Sequence, residues 1–264
     1  MTAPAATTRW VRRFHPSPQA PLILACFPHA GGSASYFFPL SRALAPAYDV
    51  LGIQYPGRQD RRHEPCVDSM AELADQSAEA LRPCLDRPVV LFGHSLGATL
   101  AFEVALRLEE SGTGPLGVIV SGRRAPSRQP REFVHRRDDD QVLAELRRLD
   151  GTATQVLGED ELLRSLLPAI RADYTAVETY RHRPGTALNC PVTAMTGADD
   201  PLAPVDDVRA WQDHTTGPCA VHTFPGGHFY LTTQAAAVTR TLTETATAWL
   251  AGTTPATAPR GGPA

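Results

Sequence analysis

PVVLFGHSLGATLAFEVALRL, residues 88–108, combines two hydrophobic patterns that meet at one serine. The opening PVVLF is a short, continuously apolar run, which is typical of a buried β-strand. From Ala98 to Leu108 the apolar residues recur at helical spacing and predict an α-helix. The connecting Gly93-His94-Ser95-Leu96-Gly97 has the G-x-S-x-G pattern of a nucleophile elbow, a strained turn that exposes a serine hydroxyl. The sequence therefore predicts Ser95 as a nucleophile at the carboxyl end of a strand.

A serine nucleophile needs a histidine base and a carboxylate that orients the histidine. In chains with this elbow, both follow the serine in the sequence. A predicted strand over residues 220–224 is followed by a glycine-rich loop that contains His228. Because glycines loosen this loop, we expect it to bring the imidazole back over the sheet. His228 is therefore the predicted base.

The predicted acid lies in the loop that follows another predicted strand, residues 191–197. This loop contains two candidate carboxylates, Asp199 and Asp200. A residue before a proline is restricted to extended backbone, which helps to fix the direction of the Asp200 side chain before Pro201. We therefore predict Asp200 as the orienting acid and keep Asp199 as the alternative.

A second glycine-rich loop, Pro28-His29-Ala30-Gly31-Gly32-Ser33, lies between a predicted strand (21–27) and a predicted helix (35–44). In folds with this elbow, the oxyanion of the tetrahedral intermediate is bound by two backbone N–H groups. One belongs to the residue after the nucleophile and the other to the loop after an early strand. The predicted donors are therefore Leu96 and Ala30. An ordinary strand-to-helix turn is the alternative interpretation of this loop.

Strands and helices alternate along the chain, which predicts an α/β fold with a mostly parallel central sheet and helices on both faces. The nucleophile elbow indicates that this fold is of the α/β-hydrolase type. One long interruption, at about residues 123–185, follows a predicted strand at 116–121. We interpret it as an inserted helical lid. Its predicted helices cover 139–149 and 159–181, and Pro168 predicts a kink or a break in the second helix.

The composition is that of one globular domain. A chain of 264 residues with 42% hydrophobic content can bury one large core, so we predict a single domain over 1–251 and a disordered tail over 252–264. No membrane span and no signal peptide are apparent, which predicts a cytoplasmic protein. The five cysteines are widely spaced and predict reduced thiols, with neither disulfides nor a metal site. We expect a monomer.

Six short motifs are similar to those of one enzyme family. In chain order they are Phe27-Pro28-His29-Ala30-Gly31-Gly32, Gln54-Tyr55-Pro56-Gly57-Arg58, Gly93-His94-Ser95-Leu96-Gly97, Arg171-Ala172-Asp173-Tyr174, Gly197-Ala198-Asp199-Asp200-Pro201 and Gly226-Gly227-His228-Phe229. From about Phe14 to about Leu250 the chain resembles the type II thioesterases, stand-alone enzymes that accompany polyketide synthases and nonribosomal peptide synthetases. The resemblance implies a catalytic triad of Ser95, Asp200 and His228. It also implies oxyanion donors at Ala30 and Leu96.

The same resemblance implies a substrate and a partner. Type II thioesterases hydrolyse acyl groups from the phosphopantetheine arm of acyl or peptidyl carrier proteins, which clears aberrant or stalled acyl units from a synthase. The arm belongs to the partner, so no cofactor is expected in the chain itself. A general carboxylesterase or lactonase with the same triad, and a non-catalytic binding protein with a hydrolase fold, are the alternatives.

The apolar side chains of the lid have two interpretations, packing in the core and lining an acyl chamber. They include Leu143, Leu146, Leu162, Leu166 and Leu167.

The segment 121–137 is strongly basic in a chain with a net charge of -3. Its only acid is Glu132, and its arginines are Arg123, Arg124, Arg128, Arg131, Arg136 and Arg137. Such a run is most often a solvated loop, but a basic rim near the active site would also attract an acidic carrier protein. These arginines are the candidate docking residues. Nucleic acid is not an expected partner, because the run lacks interleaved aromatic residues and a binding motif.

Overall fold

The computed structural model of the chain describes residues 9–128, 132–150 and 160–252. Arg131 and the predicted tail beyond residue 252 lie outside this part of the chain, as does the side chain of Leu162. Within it, seven strands form one sheet in the order β1-β3-β2-β4-β5-β6-β7. They are β1 (Val11–Arg12), β2 (Ile23–Phe27), β3 (Asp49–Ile53), β4 (Val89–His94), β5 (Gly117–Ser121), β6 (Val192–Gly197) and β7 (Cys219–Phe224). The β1–β3 pair is antiparallel and the other pairs are parallel.

Helices cover both faces of this sheet. The α-helices of the described residues are α1 (Phe38–Leu44), α2 (Met70–Leu81), α3 (Leu96–Glu110), α4 (Asp139–Asp150), α5 (Asp160–Thr179), α6 (Val205–Arg209), α7 (Tyr230–Thr233) and α8 (Ala235–Leu250). Successive strand residues point to opposite faces of the sheet. Ala25 of β2 therefore packs in a hydrophobic core cluster with residues of α2 and α3, whereas Leu24 packs in a second core cluster with residues of α1 and α8. The predicted α/β class, with a mostly parallel sheet between helices, is confirmed.

The strand order reverses beside β4. The chain runs from β2 outward to β3 on one side, and later from β4 outward to β5, β6 and β7 on the other. Ligands of open α/β sheets bind at the carboxyl ends of the strands next to such a reversal. Ala30 follows β2 and Ser95 follows β4, so the two predicted site loops lie at this edge.

One predicted helix is shorter than expected. The predicted helix 35–44 divides into a 3₁₀ turn and α1, which begins at Phe38 because Pro39 is tolerated only in the first helical turn. Residues 205–214 form α6 followed by a 3₁₀ segment, Ala210–His214. All five cysteines are free thiols. No described helix is both long enough and apolar enough to cross a membrane.

The predicted lid contains α4 and α5, close to their predicted bounds. Pro168 lies inside α5, yet the helix continues through it, and the predicted break is absent. Residues on both sides of the proline, Leu167 and Ile170, pack into one apolar cluster, which favours the uninterrupted helix. This lid cluster comprises Val134, Val142, Leu143, Leu167, Ile170 and Tyr174.

A buried ion pair holds α5 against the edge of the sheet. Asp173 of α5 accepts hydrogen bonds from the Arg58 guanidinium and, at 2.7 Å, from the Gly31 N–H. The Arg58 and Asp173 side chains are 2% and 0% exposed. Arg58 also donates through Nε to the Gly32 carbonyl at 3.2 Å and through Nη1 to the Pro56 carbonyl at 2.6 Å. The pair therefore joins the loop after β2, the loop after β3 and the lid.

We expect Asp173→Asn to lower the free energy of unfolding by about 3–5 kcal/mol, because it leaves the Arg58 charge buried without a counter-charge. Asp139→Asn is the matched control, since Asp139 pairs with Arg171 at the surface, where such pairs contribute about 0–1 kcal/mol. Urea unfolding followed by circular dichroism measures both. The double variant Arg58→Met/Asp173→Leu should lose less stability than Asp173→Asn, because no lone charge remains. Equal small losses in Asp173→Asn and Asp139→Asn would contradict the anchoring role.

Candidate active site

Ser95 has the strained backbone that the elbow motif predicts. Its φ is 56° and its ψ is -118°, values that residues other than glycine rarely adopt. A Cβ atom on Gly93 would lie 2.0 Å from the Gly97 carbonyl oxygen, and a Cβ atom on Gly97 would lie 2.0 Å from the Phe27 carbonyl oxygen. Both positions therefore require glycine, because backbone atoms of the turn and of β2 occupy the space that a side chain would need.

The structure brings the three predicted triad side chains into one hydrogen-bonded chain. Ser95 Oγ lies 3.0 Å from His228 Nε2, and His228 Nδ1 lies 2.8 Å from Asp200 Oδ2. The other carboxylate oxygen of Asp200 accepts the Leu202 N–H at 2.9 Å. The alternative acid, Asp199, is exposed, and Asp200 makes the contact with the imidazole. In this arrangement the imidazole can accept the hydroxyl proton while the carboxylate holds its opposite N–H.

Two backbone amides of the loop after β2 are bound by acceptors, and the amide of the predicted donor Ala30 is not one of them. Gly31 N–H is bound by Asp173, and Gly32 N–H donates to the His29 carbonyl at 2.9 Å. Ala30 N–H has no acceptor among the residues that the structure describes, and the same is true of Leu96 N–H at the start of α3. These are the two predicted donors, and their role in catalysis stays a prediction.

Residues after β3 hold this loop in place. Gln54 Oε1 accepts the Ala34 N–H at 2.9 Å, and the Tyr55 hydroxyl donates to the Pro28 carbonyl at 3.1 Å. Arg58 adds the contacts described above. Gln54, Tyr55 and Arg58 belong to the motif Gln54-Tyr55-Pro56-Gly57-Arg58, one of the six motifs on which the family resemblance rests. Nothing in the sequence alone shows that the motif supports the oxyanion loop.

Two further histidines pack close to His228 and are held neutral. Burial lowers the pKa of His29 to about 3, and burial also lowers the pKa of His94 well below its usual value. The His94 ring centroid lies 5.1 Å from that of His228, and His94 Nδ1 lies 3.0 Å from the Ser121 hydroxyl. Because His29 and His94 are uncharged near neutral pH, they do not repel the imidazolium that forms when His228 accepts a proton.

An enclosed cavity of about 30 Å³ adjoins Ser95. It is lined by Ala30, Ser95, Leu96, Arg123, Glu132, Val134, Glu145, Tyr174, Val177, Glu178 and Leu202. The described lid leucines pack in or against the lid cluster instead, so the structure supports their interpretation as packing residues. An open cleft of about 820 Å³ shares Glu132 and Glu178 with the cavity, but its described lining lacks Ser95. The hydrogen-bonded chain therefore identifies the small cavity as the candidate site.

The candidate docking arginines have different environments. Arg123 lines the cavity beside Ser95, and Arg124 pairs with Asp207 at 3.1 Å. Arg131 lies outside the described residues. The exposed members are Arg128, Arg136 and Arg137. Only these exposed arginines, among those described, have the environment that a docking surface requires.

We expect a fluorophosphonate probe to label Ser95 covalently, since the hydrogen-bonded chain activates its hydroxyl. Asp200→Asn should slow the labelling by about 10³- to 10⁴-fold, because an amide holds the imidazole in the wrong tautomer. Asp199→Asn, on the exposed neighbour, should label at nearly the native rate. Mass spectrometry measures the site and the rate. If Asp199→Asn were instead the slow variant, Asp199 would be the orienting acid.

Comparison with known proteins gives consistent matches. A family model described as thioesterase domain matches residues 22–246. The chain is 54% identical over 231 residues to the "Probable cadicidin biosynthesis thioesterase" of Streptomyces griseus, covering 88% of this chain and 64% of that protein. It is 53% identical over 227 residues to "Thioesterase PikA5" of Streptomyces venezuelae, covering 85% of this chain and 81% of that protein.

A solved structure extends the match to the whole fold. The type II thioesterase BorB from the borrelidin biosynthetic cluster is 50% identical and superposes with a TM-score of 0.86. The superposition covers 92% of this chain and 99% of that one. On these matches, the chain belongs to the thioesterase domain family and is one of its type II thioesterases.

Proposed function

We propose that this chain hydrolyses acyl thioesters on the phosphopantetheine arm of acyl or peptidyl carrier proteins of a polyketide or nonribosomal peptide synthase. The proposal is carried by one observation, the hydrogen-bonded chain from Ser95 through His228 to Asp200 at a nucleophile elbow. Relatives described as biosynthetic thioesterases of cadicidin and borrelidin support the substrate class. The cellular role that fits is the removal of aberrant or stalled acyl units.

The first half of the proposed reaction forms an acyl-enzyme. The Ser95 hydroxyl attacks the thioester carbonyl carbon while His228 Nε2 accepts its proton, and Asp200 holds the Nδ1–H. The Ala30 and Leu96 N–H groups then stabilise the tetrahedral oxyanion. Collapse of this intermediate breaks the carbon–sulfur bond, and His228 returns the proton to the departing thiolate. The products are acyl-Ser95 and a carrier with a free thiol.

The second half releases the acid. A water molecule gives one proton to His228 Nε2 as its oxygen attacks the acyl-serine carbonyl, and the same two N–H groups stabilise the second oxyanion. The carbon–oxygen bond to Ser95 then breaks, and His228 protonates the serine oxygen. The site returns to its starting state. Every proton transfer in this proposal uses the imidazole of His228, whose Nε2 lies 3.0 Å from Ser95 Oγ.

The proposal assigns phosphopantetheine to the partner, so the chain supplies binding and acid–base chemistry and needs no cofactor of its own. The carrier protein is the proposed partner. The cytoplasmic location and the monomeric state expected from the sequence stay predictions.

We expect the native protein to hydrolyse acyl-carrier thioesters and Ser95→Ala to lose at least about 10³-fold of this activity, since triad enzymes lose several orders of magnitude without the nucleophile. A panel of short, long, branched and aminoacyl carrier thioesters, with the free carrier thiol as the readout, tests both expectations. Circular dichroism checks that Ser95→Ala stays folded. Oxygen-ester or lactone hydrolysis at rates equal to those on carriers would instead favour a general esterase. Retention of more than a tenth of the native activity in Ser95→Ala would exclude Ser95 as the nucleophile.

The exposed arginines of the basic segment support a docking surface for an acidic carrier. Arg128 follows β5 in a 3₁₀ turn, and Arg136 and Arg137 lie just before α4. Arg136 lies over the Phe133 ring at 5.1 Å, and Phe133 is itself 48% exposed. These cations therefore lie on segments adjacent to Arg123, Glu132 and Val134, which line the Ser95 cavity.

We expect Arg128→Gln/Arg136→Gln/Arg137→Gln to lower kcat/KM for an acyl-carrier substrate by about 10-fold at low ionic strength, because long-range charge increases the rate of encounter. Hydrolysis of a small neutral thioester should hardly change, and the defect should shrink as salt screens the charges. The matched control Arg42→Gln/Arg82→Gln/Arg240→Gln removes the same charge from exposed positions elsewhere. An equal defect in the control, or on both substrates, would argue against specific docking.

A further inference from the structure

The predicted oxyanion donor Ala30 lies in a tight turn of the loop after β2. Gly32 N–H donates to the His29 carbonyl at 2.9 Å, which closes a four-residue β-turn over residues 29–32. Gly31, the third residue of this turn, has a φ of 75°, a value typical of a type II turn. The His29 carbonyl and the Ala30 N–H belong to one trans peptide and point in opposite directions. The geometry of the turn therefore determines where the Ala30 N–H points.

This turn has little conformational preference of its own, because two of its four residues are glycines. Glycine adopts positive and negative φ about equally readily. Type I and type II turns differ mainly in the two backbone angles that flank the central peptide, here the peptide between Ala30 and Gly31. The N–H of this central peptide is bound by Asp173 Oδ2 at 2.7 Å. Asp173 therefore opposes rotation of the central peptide.

The Asp173 carboxylate does not have the geometry of the strongest ion pair. A guanidinium and a carboxylate pair most strongly when two parallel N–H groups bind both oxygens. In this pair Arg58 Nη2 and the Gly31 N–H both donate to Asp173 Oδ2, and no described group donates to Oδ1. Arg58 directs its Nε to the Gly32 carbonyl instead. The two charged side chains are thus arranged to bind the turn, through one N–H and one carbonyl of consecutive residues.

Asp173 belongs to the lid helix α5, and a second residue of this helix packs on the same turn. A Cβ atom on Gly31 would lie 2.7 Å from Ile170 Cγ1. Val177, one helical turn after Asp173, lines the cavity beside Ser95. The helix that forms a wall of the cavity therefore also holds the turn that contains the predicted oxyanion donor.

We propose that Asp173 is a positioning residue for catalysis: by binding the Gly31 N–H, it fixes the turn so that the Ala30 amide can stabilise the oxyanion. This inference rests on the proposed function and on the predicted role of Ala30. The oxyanion exists only after the substrate has bound and Ser95 or water has attacked it. A displacement of about 1 Å in a catalytic group lowers the rate by about 10²-fold. Loss of the Gly31 contact should therefore lower kcat and leave KM nearly unchanged.

Two double variants isolate this contact, Arg58→Met/Asp173→Leu and Arg58→Met/Asp173→Asn. Both remove the two buried charges, so neither leaves a lone charge. Leucine and asparagine have nearly the same shape, but only asparagine has an oxygen that can accept the Gly31 N–H. On an acyl-pantetheine thioester, we expect kcat of the Asp173→Asn double variant to exceed that of the Asp173→Leu double variant by about 10²-fold, with similar KM values. Circular dichroism checks that both are folded.

A transition-state analogue separates positioning from a general structural role. In a trifluoromethyl ketone analogue of the thioester, the Ser95 oxygen adds to the carbonyl carbon and His228 accepts the serine proton. The resulting alkoxide lies where the oxyanion forms. The Asp173→Asn double variant should bind this ketone about 10²-fold more tightly than the Asp173→Leu double variant. A thioether analogue, which has no carbonyl, should bind both variants equally.

Two results would overturn the positioning role. The first is an equal kcat, or an equal affinity for the ketone, in the two folded double variants. The second is a loss of thioether affinity as large as the loss of kcat, because the Gly31 contact would then support the structure alone. In both cases the native protein still hydrolyses thioesters. Absence of hydrolysis by the native protein, on carrier-bound thioesters as well, would overturn the proposed function and this inference with it.

If neither double variant folds, Gly31→Ala decides the question. The added methyl group would lie 2.7 Å from Ile170 Cγ1, so the turn must move away from α5 while Asp173 stays unchanged. We expect kcat to fall by about 10²-fold. Adding Ile170→Ala should restore part of it, because the nearest remaining atom of residue 170, Cβ, is 3.9 Å away. A native kcat in Gly31→Ala would overturn the proposal.

Discussion

The geometry of the active-site edge depends on the buried ion pair between Arg58 and Asp173. The loop after β2 contains the predicted oxyanion donor Ala30, and few hydrogen bonds join the backbone groups of its described residues to one another. Asp173 binds the Gly31 N–H, and Arg58 binds the Gly32 carbonyl, so the two charges fix the loop on both sides of one peptide. Separating them would leave a buried charge without a partner, which costs several kcal/mol. The C-terminal half of α5 is therefore a fixed wall of the site.

The elbow and the triad could be predicted from the sequence because their requirements are local. Positions 93 and 97 must be glycine because backbone atoms of the same turn and of the neighbouring strand leave no room for a side chain. The G-x-S-x-G spacing shows this requirement directly. His228 and Asp200 each follow a strand whose apolar run is easily recognised. Parallel strands bring their carboxyl ends to one edge, so the order of elements along the chain already places these side chains together.

Other features depended on contacts that no local pattern contains. Asp173 and Arg58 are 115 positions apart, and their pairing follows from how the lid packs on the sheet. The arginines of the basic segment are close together in the sequence, but their environments differ. Arg123, just after β5, lines the cavity, whereas Arg128, five residues later, is exposed to solvent. The lid leucines fit two interpretations for the same reason. A helical period shows that one face is apolar, and only the tertiary structure shows what that face contacts.

Ser121, the last residue of β5, connects the elbow to the segment after the base. Its carbonyl accepts the Ser95 N–H at 2.8 Å, and its hydroxyl lies 3.0 Å from His94 Nδ1 and 2.6 Å from the Tyr230 hydroxyl. A hydroxyl has one proton to donate, so at least one of these two partners must donate to Ser121. Replacing Ser121 would remove the partner of two buried polar atoms, His94 Nδ1 and the Tyr230 hydroxyl. Natural selection is therefore expected to act on positions 94, 121 and 230 as a unit, so that relatives differing at one of them carry compensating changes at the others.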